Sequence, residues 1–145
     1  MPSYANIGYA LDAGSNAGVN VKEAWTQYEL NIVMSDDDSI VTLASNRFQI
    51  VAGTFEFHIV ASLNNVGQCR VALYNVTQDY GVKAGANTQS TRPTVTGRDI
   101  SNGTDWYEVQ YHATNEQITY GLGRKANTGD DELYCDVNLL LYPDT

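Results

Sequence analysis

An antiparallel β-sandwich is the fold class that this sequence predicts, on three observations. Between Phe48 and Leu63, Phe55, Phe57, Ile59, Ala61 and Leu63 alternate with Thr54, Glu56, His58, Val60 and Ser62. That period of 2 puts one set of side chains on a dry face and the other on a mixed one. No window of 11 residues carries a helical apolar stripe. Finally, ten tyrosines, two tryptophans and twelve glycines with only three prolines in 145 residues suit strands joined by many turns. A chain of this length fits one domain, which buries roughly two-thirds of the surface of its unfolded chain.

Residues 1–24 stand apart. They are rich in Ala, Gly, Asn and Ser, and their apolar side chains come singly. They read as an extended N-terminal arm, with Tyr4, Ile7, Tyr9 and Leu11 as the side chains able to anchor it on another surface. The folded domain is placed at residues 25–145.

Trp25 to Met34 is the first expected strand of that domain, with Tyr28, Leu30, Ile32 and Met34 on one face. Asp36-Asp37-Asp38-Ser39 ends it. Three adjacent aspartates suggest a calcium loop, but the glycine and distant glutamate of an EF-hand are absent, and a solvated turn is the expectation. Ile40 to Leu43 is extended, Ser45-Asn46 turns the chain, and Gly53 suits a corner or bulge where the backbone needs positive φ before the long strand through Phe55.

After a turn at Asn64-Asn65-Val66-Gly67, Cys69 to Val76 forms a strand with Cys69, Val71 and Leu73 inward. Residues 77–104 read as a long surface loop that hides one short strand around Thr94 to Ile100. Tyr80, Lys83, Arg92 and Arg98 are its candidate recognition residues. Trp106 to Ala113 alternates again, Ile118, Tyr120 and Leu122 mark a further strand, and residues 127–131 turn the chain. The last strand, Leu133 to Tyr142, carries apolar residues on both faces, with Leu140 and Tyr142 opposite Leu133, Cys135, Val137, Leu139 and Leu141.

The chemistry expected of the chain is slight. Eight basic against seventeen acidic residues give a formal charge of −9, which repels phosphate backbones and argues against nucleic acid as a partner. No stretch approaches the roughly 18 consecutive apolar residues of a membrane span, and Met1-Pro2-Ser3-Tyr4 lacks the basic start of a secretory signal. His58 and His112 are the only imidazoles, and neither lies at zinc-ligand spacing from a second ligand, so no metal or other cofactor is expected. Gly121-Leu122-Gly123-Arg124-Lys125-Ala126 superficially resembles a dinucleotide loop but opens no helix. Asn75-Val76-Thr77 and Asn102-Gly103-Thr104 match a glycosylation pattern that matters only in a secreted eukaryotic protein. There is no nucleophile elbow, so the chain is not read as an enzyme. Cys69 and Cys135 both fall on apolar faces. A disulfide between them is geometrically open, with free thiols expected because nothing indicates an oxidising compartment.

About eight strands with uneven loops fit a jelly roll best, with an immunoglobulin-like sandwich as the fallback. The succession AWTQYELNIVMSDDDSIVTL, AGTFEFHIVASL, CRVALYNVT and LYCDVNLLLYP, over about residues 25–143, resembles the C1q/TNF-like jelly rolls of bacteriophage virion proteins. The resemblance implies a homotrimer whose inner sheets meet around a threefold axis, serving as a capsid decoration or cement protein, a head fibre or a tail-fibre tip.

On that basis the expected role is a structural virion protein, assembled in the host cytoplasm and attached to the major capsid protein or another virion protein through its arm. Burial of each large arm side chain would contribute about 1.5 to 3 kcal/mol, multiplied by three arms per trimer. The alternative is the receptor-binding tip of a tail fibre that recognises a host-surface glycan or protein through residues 77–104, with Trp106 or Tyr80 as an aromatic platform.

Overall fold

The computed structural model describes residues 2–11, 17–118, 121–122 and 132–143. Among these, regular structure is entirely strand: β1 (Ser3–Leu11), β2 (Thr26–Gln27), β3 (Ile32–Ser35), β4 (Val41–Ala44), β5 (Arg47–Ile50), β6 (Gly53–Ala61), β7 (Cys69–Asn75), β8 (Tyr80–Ala84), β9 (Thr94–Ser101), β10 (Tyr107–Ala113) and β11 (Glu132–Pro143). One sheet runs β3-β1-β11-β6-β9 and the other β4-β5-β10-β7-β8, with β2 also paired to β10. Every pairing is antiparallel. From β5 onward the chain repeatedly changes sheet, and this interleaving makes the two layers a jelly roll.

The alternation around Phe55 does what its period requires. Phe55, Phe57, Ile59 and Ala61 of β6 point inward and meet Val71 and Leu73 of β7, Tyr107, Val109 and Tyr111 of β10, and Val137, Leu139 and Leu141 of β11 in one core. Phe48 stacks on Tyr107 with ring centroids 5.6 Å apart, and Phe55 meets the same ring edge-on at 5.3 Å. At the other end Tyr134, Tyr9, Tyr28 and Tyr111 form a chain of rings at 5.9, 5.9 and 5.8 Å. Such contacts add about 0.5–1.5 kcal/mol each beyond area burial. The buried Tyr28 hydroxyl reaches the carbonyl of Ser62 at 2.9 Å, and the Tyr9 hydroxyl donates to that of Ala17 at 2.9 Å.

Several turns form as their residues dictate. Ser45 and Asn46 have φ of 53° and 62° and close a two-residue hairpin in which Ala44 faces Arg47. Positive φ at both positions matches the twist of the flanking strands. Gly53, with φ of 144°, turns the chain from one sheet into the other. Asp36 accepts the amides of Ile40 and Val41 at 2.8 and 3.0 Å, so the aspartate run closes a turn.

The N-terminal arm is the largest correction. Ser3–Leu11 is an interior strand that pairs with β11 along its length and with β3 on its other edge. Ala5, Ile7 and Tyr9 are in the core. Beyond it, Asn20 donates to the carbonyl of Asn115 at 2.9 Å and accepts the amide of Gln117 at 2.8 Å. The jelly roll therefore begins at residue 3 rather than 25. Of the four proposed anchors, Ile7 and Tyr9 are unavailable, Leu11 is half-buried against the core, and Tyr4 alone lies exposed.

Three further expectations change. Trp25 to Met34 is not one strand: β2 belongs to the second sheet, Tyr28 and Leu30 cross the core, and β3 joins the first sheet with Ile32 and Met34 exposed. Residues 77–104 hold two strands, β8 and β9, where the sequence predicts only the second. Ile118 and Leu122 lie in turns, while Tyr120, the 127–131 turn and residues 123–126 of the glycine-rich segment fall outside the described residues.

Close packing of β1 makes a first test. A Cβ on Gly8 would stand 2.2 Å from the Cys135 carbonyl oxygen and 2.9 Å from the end of Met34. The carbonyl belongs to a paired neighbouring strand and has little freedom to yield. Gly8→Ala is expected to lower stability by about 1–3 kcal/mol, as overpacked sites do, measured by urea denaturation.

Candidate functional site

The feature most distinctive of a functional surface is the outward face of the β3-β1-β11-β6-β9 sheet. Register aligns its side chains in rows: Tyr142, Thr54 and Ile100; then Tyr4, Leu140, Glu56 and Arg98; then Asn6, Asn138, His58 and Thr96. Apolar groups dominate the first row and fill one end of the second. Ile100 is 70% exposed, Tyr4 47% and Tyr142 41%. At the β3 edge, Ile32, Val33 and Met34 are exposed as well. A strand face directed to water ordinarily carries polar residues, so apolar side chains concentrated on one sheet mark a surface suited to being covered.

A shallow dish of about 540 Å³ lies in this face between Tyr4, Leu140, His58 and Arg98. Several polar groups in and beside it are tied to one another. Tyr4 donates its hydroxyl to Asn138, and Asn6 donates to Asp136 and, at 3.2 Å, to Asn138. Arg98 pairs with Glu56 across β9 and β6. That pair is exposed, so its net contribution to stability is at most about 1 kcal/mol. It leaves little unbalanced charge on a face otherwise fit to meet another protein.

The four recognition candidates do not converge. Arg98 is on this face, Tyr80 and Lys83 are on β8 at the edge of the other sheet, and Arg92 is exposed in the bend before β9. The Tyr80 hydroxyl donates to Asp99 at 2.7 Å, and the buried Tyr107 donates to the same carboxylate at 3.0 Å. Tyr80 thus ties β8 to β9. Trp106 is half-buried beside β10, its carbonyl accepting the amide of Val76 at 2.8 Å. Neither residue offers a free platform in a flexible loop.

Among the described residues no group of three or more His, Cys, Asp or Glu is placed to hold a metal ion, and no helix is long and apolar enough to cross a membrane. Cys69 and Cys135 are buried free thiols on β7 and β11, in opposite sheets. Burial raises the pKa of both, and for Cys135 the neighbouring Asp136 adds to the shift. Both thiols therefore stay protonated and unreactive.

A titratable device does sit in the turn before β10. Asp105 accepts from Asn75 at 3.0 Å, Asn102 at 3.0 Å and Gln78 at 3.3 Å. These hydrogen bonds, from Asn75 first and then Asn102, hold its carboxyl below the usual carboxylate range. A depressed folded pKa means stability that is complete above the unfolded value, about 3.9, and is lost as pH falls through the folded one. Asp105→Asn is therefore expected to lower the Tm at neutral pH, with the deficit shrinking as the pH is taken below about 3.9. Thermal melts across that range check it.

Neither a family model nor a curated protein sequence matches the chain. Its likeness is to solved structures. Murine APRIL aligns at a TM-score of 0.61 with 7% identity over 98% of this chain and 100% of that one. The PRD1 vertex protein P5 aligns at 0.59 with 13% identity over 98% of this chain and 73% of its own. The globular domain of the zebrafish complement 1qA protein aligns at 0.55 with 16% identity, covering 99% and 100%. The fold is thus an antiparallel jelly roll of the TNF/C1q-like type, and at these identities the likeness establishes the fold alone.

Proposed function

We propose that this chain is a structural virion protein: a homotrimer that assembles through the outward face of the β3-β1-β11-β6-β9 sheet and stands on a bacteriophage shell as a decoration protein or head fibre. The observation that carries the reading is the exposed apolar set on that face, Tyr4, Leu140, Ile100 and Tyr142 with Ile32 and Met34 at its edge. Three copies meeting there would bury what a lone chain leaves in water. The shell location draws support from the likeness to a protein whose name places it at a virus vertex. The role is one of assembly rather than catalysis. With Ile7 and Tyr9 inside the sheet, contact with a major capsid protein falls to other surfaces than the first eleven residues.

Two measurements test this. Sedimentation equilibrium should return three times the 15.9 kDa chain mass; a monomer at micromolar concentration would remove the assembly face from consideration. Co-sedimentation with empty phage capsids should be saturable and absent with intact host cells. Binding to cells alone would make the protein a receptor-binding tip.

A further inference from the structure

The opposite side of the sandwich carries a second concavity. It is an open dish of about 500 Å³ on the outward face of β7, β8 and β10, within the range of about 300–1,000 Å³ usual for ligand pockets. Small residues make its floor. Ala72 on β7 is registered with Ala84 on β8 and with Gln110 on β10, and Gly81 faces Tyr74. A Cβ on Gly81 would meet nothing within 4 Å, so the space above it is open.

Aromatic rings stand in its walls. Trp25 is 43% exposed, and Tyr74 is half-buried. Trp25 is held in place by the Arg70 guanidinium, 5.6 Å from its centroid, and by the His112 ring at 5.6 Å. The polar groups are positioned too. Arg47 pairs with the buried Glu108 at 3.1 Å, and Glu108 accepts the Gln110 amide nitrogen at 3.0 Å. That commitment turns the Gln110 amide oxygen into the group available to accept a hydrogen bond. Lys83, registered with the buried Leu73, directs its side chain towards Gly97 of β9, so the donor within the dish is the hydroxyl of Tyr74.

From this geometry we infer that the dish formed by Trp25, Tyr74, Ala72, Gly81, Ala84 and Gln110 binds a neutral, pyranose-containing glycan. A sugar ring has an apolar C–H face that packs on an aromatic ring and a rim of hydroxyls that both donate and accept. The dish supplies aromatic rings, a flat floor, a fixed acceptor and a donor. Net charge of −9 disfavours an anionic ligand. The site lies on the sheet that the proposed trimer leaves uncovered and requires no trimer, so the two readings fail independently.

The test is an amide-resolved NMR titration of the full chain with maltose, lactose, cellobiose, diacetylchitobiose and, as anionic controls, sialyllactose and a heparin disaccharide. At least one neutral sugar should saturably shift the amides of Ala72, Gly81, Ala84 and Gln110. Trp25→Ala should weaken that binding at least tenfold. Ala84→Arg, a change at an exposed position, should block it with the Tm unchanged, and so decides the matter if Trp25→Ala misfolds. No saturable shift with any neutral sugar, binding confined to the anionic controls, or binding that survives Ala84→Arg would each overturn the inference.

Discussion

Deleting residues 1–11 is expected to abolish cooperative folding rather than to release a folded domain from an anchor. The deletion removes β1 from between β3 and β11, leaving one whole edge of β11 without hydrogen-bond partners. It also takes Ala5, Ile7 and Tyr9 out of the core and ends the ring contacts of Tyr9 with Tyr28 and Tyr134. Truncation of a buried Ile to Ala alone costs about 2–5 kcal/mol, and of a large aromatic about 3–5. Together with the lost pairing, this is comparable with the roughly 5–15 kcal/mol of a typical domain. Far-UV circular dichroism and a thermal melt check the result: a truncated chain that melts cooperatively near the parent Tm would return residues 1–11 to the status of an arm. The single change Tyr9→Ala should reproduce much of the effect, at about 3–5 kcal/mol.

The second large effect concerns assembly. Leu140 sits on the outward face of β11, registered between Tyr4 and Glu56, with Arg98 one strand further on. Leu140→Arg would put a second guanidinium beside Arg98 in the middle of the proposed interface. Its side chain is only half-buried in the lone chain, so the fold should tolerate the change. Association should weaken by roughly 2 kcal/mol or more per interface, the scale of a hot spot. Sedimentation equilibrium would then show a monomer where the parent is trimeric, with the circular dichroism spectrum unchanged. A trimer that persists would place the interface elsewhere. Ile100→Lys, at the exposed end of the same face, should act in the same direction with a smaller effect.

Strand identity was legible wherever a long segment packs one face on the core. Phe55 through Ala61, Cys69 through Leu73, Tyr107 through Tyr111 and Val137 through Leu141 all alternate in the sequence and point inward as their period requires. The turns at Ser45-Asn46 and Gly53 were equally legible, because φ is a local property and Asn46 and Gly53 are of the types that most readily take positive values. β8 carries no strand signature because its five residues include Gly81 and two further residues with small or charged side chains, and it lies at a sheet edge where burial imposes no pattern. Of the candidate recognition residues, the sequence placed Tyr80, Lys83, Arg92 and Arg98 in one loop, whereas pairing distributes them over two sheets and a bend.

Local patterning is enough to specify an all-β sandwich, its principal core strands and its sharpest turns. Tertiary structure alone decided that β1 is an interior strand, that Trp25 to Met34 divides between two sheets, and that Trp25 shares a dish with Tyr74 and Gln110. Ala5, Ile7, Tyr9 and Leu11 do alternate, but Asn6, Gly8 and Ala10 between them are as suited to a loop as to a strand, and only pairing with Cys135, Val137 and Leu139 resolves the choice. Periodicity records which side of a strand is dry. Which strand lies alongside, and which outward faces meet, depends on contacts between residues distant in the chain, more than a hundred positions apart in the case of β1 and β11, and no local pattern encodes those.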